Sequence, residues 1–165
     1  TKAATGTAWL NYTTGQIVAT ANEIYNDILA TYQQLVTQNA GLVNMESALT
    51  LALSPASEVA LGATNTFNVN VRDLLDKNFK NLKIKTAVQY GASSSTNQQG
   101  NPAGNTMQLI VGEVEGQKTG FCAFAEKMRA FPVIRESSAY HQKVMQSIWG
   151  TVIRYPAGIS SMVGI

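Results

Sequence analysis

Apolar residues recur at gaps of 4, 3, 4, 4 and 3 through Ile17, Ala21, Ile24, Ile28, Tyr32 and Leu35, the period of one helix face. Tyr25, Leu29 and Val36 widen that stripe, while Glu23, Asn26, Asp27, Gln33, Gln34 and Gln38 hold the other side. The pattern predicts a helix over about 14–40, with Gly41 as its C-terminal stop. At 1.5 Å per residue it would be about 40 Å long, enough to act as a spine for other elements. Next, Leu49, Leu51 and Leu53 alternate with Ala48, Thr50 and Ala52, the mark of a short strand with one buried face. Ser54-Pro55 supplies an N-cap and a first-turn proline for a short helix carrying Glu58 and ending at Gly62.

A second helix is predicted from Asn70 to Leu82, started by Asn70 and Asp73 and buried through Val71, Leu74, Leu75, Phe79 and Leu82. Asp73 with Lys77, and Asp76 with Lys80, stand at i,i+4 in the favourable order. From Lys83 onward the period falls towards two, and Ile84, Thr86, Val88 and Tyr90 predict a strand. The Ser/Asn/Gln/Gly run from Gly91 to Thr106 lacks an apolar anchor and reads as an exposed, mobile loop. Met107–Val114 and Gly120–Glu126 read as strands joined by a turn over 115–119. The stretch 144–155 fits either period; Trp149, Thr151, Val152 and Ile153 favour strand, and Pro156 ends it.

With 165 residues and no internal repeat or linker, the chain is expected to form a single domain over 1–165. Only 13% of residues are charged, about half the usual share. A surface so poor in charge repels its own copies weakly, which favours self-association. A net charge of +2 is too small for a phosphate-backbone binder. The single cysteine, Cys122, can form no disulfide within the chain, consistent with a reducing compartment. No apolar run approaches the roughly 18 residues of a membrane span. The chain opens on Thr1, not Met, and is expected to be a fragment or a processed product.

Candidate chemistry is sparse. Gly112-Glu-Val-Glu-Gly-Gln-Lys118-Thr119 has the spacing of a phosphate loop, but Gln117 stands where the glycine before the lysine belongs. It also leads into a strand, not the helix start whose N–H groups would hold an anion, so a hairpin turn is the preferred reading. Cys122 and His141 could be a thiol and its base, yet Cys122 lies between Phe121 and Phe124, where a free cysteine is ordinarily an inert core residue. One His and one Cys make no metal-ligand set, and no cofactor is implied. Glu23 and Asp27 share a helix face, which a solvated surface explains better than an acid pair. Lys77, Lys80, Lys83 and Lys85 form a basic cluster, half of it with acidic partners. Asn11-Tyr12-Thr13 fits a glycosylation sequon that would be idle inside a cell.

The C-terminal third carries a resemblance. Phe124-Ala-Glu-Lys-Met-Arg-Ala-Phe-Pro-Val-Ile-Arg135, Trp149-Gly-Thr-Val-Ile-Arg-Tyr-Pro-Ala-Gly-Ile159 and the closing Met162-Val-Gly-Ile165 resemble the end of tailed-phage and prophage major capsid proteins. The order of elements agrees, including the Asn78-Phe-Lys-Asn-Leu82 segment. The resemblance implies the Hong Kong 97-type capsid fold, of α+β class: an axial domain with a central mixed sheet flanked by helices, plus part of a peripheral domain with a long spine helix. The N-terminal arm and extended loop of that fold are expected to be missing from this chain.

It also implies a structural subunit and not an enzyme, self-assembling into pentamers and hexamers around DNA that it touches only indirectly. Neither a membrane nor a small-molecule substrate is expected, and assembly is expected in the bacterial cytoplasm, with the product located in the virion capsid. Arg129, Arg135 and Arg154, within the resembling motifs, are the candidate interface residues. Gly91 and Gly104, in the polar loop, are further interface candidates, the loop being either an axis-proximal tip or an inter-subunit contact. The alternatives are an encapsulin-like compartment shell, a small cysteine hydrolase using Cys122 and His141, and a ligand-binding module with an apolar pocket.

Overall fold

Thr20 decides where the first helix begins. In the computed structural model, which describes residues 2–3, 8–11, 14–94 and 97–165, helix α1 spans Ala21–Gln38. The Thr20 hydroxyl accepts from the Glu23 N–H at 3.3 Å, and the Thr20 N–H donates to Glu23 Oε2 at 2.7 Å. This reciprocal box satisfies donors that the first turn leaves orphaned. At 18 residues, α1 is about 27 Å long, shorter than the apolar period suggests. Ile17 is outside it, bridged to Leu10 across a tight hairpin in which Gly15 takes the left-handed conformation. Past Gln38 the chain stops in left-handed Ala40 and Gly41, with the Gly41 N–H returning to Val36 O at 3.0 Å.

The capping box also sets a pH dependence. The Thr20 backbone N–H, and then its hydroxyl, hold the Glu23 carboxyl below the usual glutamate range. A depressed folded pKa gives stability that is complete above the unfolded value and is lost as pH falls through the folded one. Thr20→Ala should cost about 0.5–2 kcal/mol at neutral pH. In urea titrations that difference should shrink in mild acid; a pH-independent deficit would assign it to something other than the box.

The remaining elements follow in order: β1 (Lys2–Ala3), β2 (Leu49–Leu53), α2 (Pro55–Ala60), α3 (Val71–Asn78), β3 (Leu82–Thr86), β4 (Thr106–Val111), β5 (Glu113–Val114), β6 (Gln117–Lys118), β7 (Gly120–Ala130), β8 (Ile134–Arg135), β9 (Tyr140–His141), β10 (Val144–Ile153) and β11 (Ile159–Val163). By length one domain is expected; by contacts the chain divides into two compact units, 1–119 with 155–165, and 120–154.

The first unit is built on a mixed five-stranded sheet in the order β1-β11-β4-β2-β3. β2 and β3 are parallel and joined by the α2–α3 crossover, whereas β4 runs antiparallel to both β2 and β11. Paired residues share a face, so Leu51 lies between Ile84 and Leu109, and Leu49 between Leu82 and Val111. Met107 and Met162 extend this apolar face, and α1 lies against β4, β11 and α3. Ile24, Ile28 and Leu35 are buried there, and Tyr32 meets Phe79 edge-on at 5.2 Å. The other face is more polar and half-buried, with Gln108, Ile110 and Ser161 along it.

Two helix-start readings hold: Ser54 caps α2 and Asn70 caps α3 through side-chain oxygens. β3 ends at Thr86, and Val88–Tyr90 form a single tight turn instead of extending the strand. The surface pairing is also rearranged, because Lys80 meets Glu46 at 3.2 Å, not Asp76 one turn back. Both Lys80 and Glu46 are exposed, so the exchange is worth little.

Candidate assembly surface

The second unit is a long antiparallel ribbon of β7 and β10, about 36 Å along β7, with β8 and β9 forming a small hairpin in its far loop. β7 runs to Ala130, past the expected end at Glu126, because β10 supplies partners as far as Val144. Its ladder pairs Phe121 with Val152 and Phe124 with Ile148. Positions 121 and 124 differ by an odd number, so these two apolar pairs point to opposite faces. Phe124 is 44% exposed, Ile148 57% and Trp149 81%. Trp149 lies where the register shifts, beside Gly150 at φ +106, so the bulge turns the indole outward. Met128, Val144 and Ile153 are exposed as well. An isolated two-stranded ribbon is marginal in water, and so many exposed apolar side chains on one element favour an interaction surface.

Arg129 and Arg154 are ribbon residues with contacts inside the unit. Arg129 lies 5.1 Å from the centre of the Phe131 ring and 3.5 Å from Glu126. Arg154 lies 5.0 Å from the centre of the Phe121 ring. Each stacking is worth about 0.5–1 kcal/mol at an exposed site and leaves the guanidinium fork accessible. Arg135, in β8 opposite Tyr140, is exposed.

The alternative thiol–imidazole pair does not form. Cys122 pairs with Thr151 near one end of the ladder, and its Sγ is 3.5 Å from Thr151 Oγ1. His141 belongs to the small hairpin past the other end and meets Glu136 at 3.4 Å. The eight residue-to-residue steps of strand from Cys122 to Ala130 alone span about 26 Å. Cys122 is also exposed, not a core residue as expected, since a two-stranded ribbon is a single layer.

In the first unit, the segment spaced like a phosphate loop is a hairpin. β5 and β6 pair through Glu113 with Lys118, and Glu115 and Gly116 both take positive φ at the turn. Beyond it, the Thr119 hydroxyl donates to Val111 O, and Thr119 O accepts from the Tyr155 N–H at 3.2 Å. The Glu23–Asp27 surface reading fails for Asp27, which is 1% exposed and accepts from Trp9 Nε1 at 2.9 Å. Glu23 is committed to the cap. The sequon Asn11-Tyr12-Thr13 falls partly outside the described residues.

The described residues of the loop, 91–94 and 97–106, are anchored by asparagine side chains, where composition offered no anchor. Asn97 Nδ2 donates to Val88 O and Ala92 O, and Asn101 Nδ2 donates to Thr106 Oγ1 at 2.7 Å. Asn105 Oδ1 accepts from the Ala92 N–H at 2.8 Å. Gly91 is buried and Gly104 sits at φ +95. A methyl group on Gly100 would lie 2.5 Å from Ala92 O. Gly100→Ala should therefore destabilise the loop by about 1–3 kcal/mol. Amide exchange over 97–105 should accelerate while α1 stays protected, and unchanged loop protection would contradict the packing described.

The chain matches the family described as Pa193 gp26 major capsid protein over residues 1–164. Its fold is similar to the capsid of Myoviridae phage XM1, with a TM-score of 0.67 and 9% identity over 97% of this chain and 50% of that one. It is also similar to a virus-like particle from Pyrococcus furiosus, with a TM-score of 0.57 and 13% identity over 98% and 55% of the two chains. For Mycobacterium phage Che8 the TM-score is 0.54 and the identity 11%, over 98% and 52%. The chain thus spans about half the length of these solved chains. No curated protein sequence matches it. The α+β architecture, a central mixed sheet with helices, is the phage-capsid fold that the C-terminal motifs imply.

Proposed function

Because this chain belongs to the Pa193 gp26 major capsid protein family, we propose that it works as a structural subunit of a tailed-phage or prophage shell, without catalytic chemistry. Copies associate into pentamers and hexamers, assembled in the bacterial cytoplasm, and the closed shell surrounds DNA that the subunit contacts only indirectly. The observation that carries the reading is the ribbon, which carries exposed apolar side chains on both of its faces. Among its residues are Phe124, Trp149, Met128 and Arg129, of the types enriched in interface cores. Arg129, Arg135 and Arg154 serve as ribbon contacts between copies, and the loop between Gly91 and Gly104 lies towards the ring axis. The virus-like particle from Pyrococcus furiosus shares the fold and supports a compartment shell as the second reading, but the family match favours the phage shell.

The test is electron microscopy with light scattering on the protein carrying its natural upstream sequence. Closed shells, or rings of five and six copies, are expected. A persistent monomer at high concentration, with scaffold and maturation protease supplied, would overturn the reading.

A further inference from the structure

We propose that the cationic far end of the ribbon, at Arg129 and Lys143, docks on the acidic hairpin of a second copy, at Glu113 and Glu115. The proposal rests on the shell reading and names the partner that the ribbon cations meet in it.

Charge is divided unevenly along the chain. Of its 12 basic and 10 acidic residues, five basic but only two acidic ones lie in the ribbon unit, 120–154. The first unit keeps the remaining seven against eight and is slightly acidic. Within the ribbon unit one ring gathers two cations. Arg129 and Lys143, both exposed, lie 5.1 and 5.8 Å from the centre of the Phe131 ring. Glu126 reaches Arg129 at 3.5 Å, but among the described residues no ion pair engages Lys143. Repulsion between the two cations is thus only half answered within the chain, and an incoming carboxylate lowers it.

Charge also selects the partner segment. Among the described residues, the exposed carboxylates outside any ion pair are Asp73, Asp76, Glu113 and Glu115. Residues 72–80 set three cations against the first two, whereas residues 113–118 set two carboxylates against Lys118 alone. The hairpin therefore holds the surplus negative charge. It is also firmly rooted: Val114, between the two glutamates, is buried in the core, and the Thr119 N–H donates to Gly112 O at 3.1 Å. The Glu113 carboxylate extends towards the tip, where its Oε1 would lie 3.9 Å from a methyl group on Gly116. A hairpin held this way loses little conformational freedom on docking.

The ribbon's exposed Trp149, Ile148 and Met128 favour a protein partner over nucleic acid, because a phosphate backbone would bury none of that apolar surface. Ribbon end and hairpin are different patches, so the contact is head-to-tail, the kind that closes rings by rotation.

The test reverses charge on the protein carrying its natural upstream sequence. One variant combines Arg129→Glu with Lys143→Glu, and the other combines Glu113→Lys with Glu115→Lys. Each alone should raise the concentration needed for assembly by about 10-fold or more and leave the circular dichroism unchanged. Mixed in equal amounts, the two should assemble near the parent's concentration, because each ribbon then meets a hairpin of opposite sign. Subunits that were merely damaged would not rescue one another. Both variants assembling as the parent does would overturn this contact and leave the shell reading intact, and so would failure of the mixture. A third outcome would put nucleic acid in the hairpin's place: Arg129→Glu/Lys143→Glu shells that form normally but no longer retain the mixed-sequence duplex DNA that parent shells hold. If the parent protein forms no particle, this contact falls together with the shell reading.

Discussion

Leu51→Ala should lower the unfolding free energy of the first unit by about 2–5 kcal/mol. Leu51 is fully buried in β2, flanked by Ile84 on one neighbouring strand and Leu109 on the other. Removing its branched end opens a void that two hydrogen-bonded strands cannot close by moving together, so the lost transfer energy and the cavity add. Small domains have only about 5–15 kcal/mol of net stability. The variant should therefore unfold at distinctly lower urea concentration, and its assembly yield should fall with it. A loss below about 1 kcal/mol by chemical denaturation would show that this face repacks freely around the missing side chain.

Replacing the ribbon's apolar pair Phe124 and Ile148 by Lys and Glu respectively should raise the concentration needed for assembly by about 100-fold. The two residues are directly opposite, so the new charges can pair across the ladder and the ribbon itself need not open. What disappears is apolar surface available to another copy, at about 1.5 kcal/mol per side chain, which together make roughly two orders of magnitude. The first unit should keep its unfolding transition. Light scattering and electron microscopy at increasing protein concentration would decide the matter. Normal shells at the parent's concentration would mean that this face looks onto solvent in the particle, and the carrying observation would be lost.

Much of the first unit is legible in the sequence because its cues are local. Ser54-Pro55, Asn70 three residues before Asp73, and the Leu49/Leu51/Leu53 alternation each act within one turn or one strand, and the structure places α2, α3 and β2 there. The hairpin over 113–118 is likewise a local matter of Glu115-Gly116. The start of α1 is misread because Ile17 continues the period by coincidence, while a cap three residues later ends the competition. In the loop after Gly91, Asn97 folds its side chain back on the carbonyls of Val88 and Ala92, an anchor that composition does not reveal.

The assembly surface is half legible. Arg129, Arg135 and Arg154 are singled out only through the resemblance, and Phe124, Ile148 and Trp149 are not singled out as surface. Apolar residues on both parities of a strand ordinarily mean burial on two faces. The signal was present as the missing polar face of 120–130 and 144–153, but the sequence does not say whether a second layer exists to cover it.

By itself, the sequence determined the pieces: where helices are capped, which strand face is apolar, how little charge the surface carries, and which family's C-terminal motifs recur. Those properties depend on neighbours a few residues apart. Only the tertiary structure decided the strand order β1-β11-β4-β2-β3, the burial of Asp27 under Trp9 across 18 residues, and the exposure of the ribbon. These depend on contacts between distant segments, where the same apolar residue is core if another layer meets it and interface if none does.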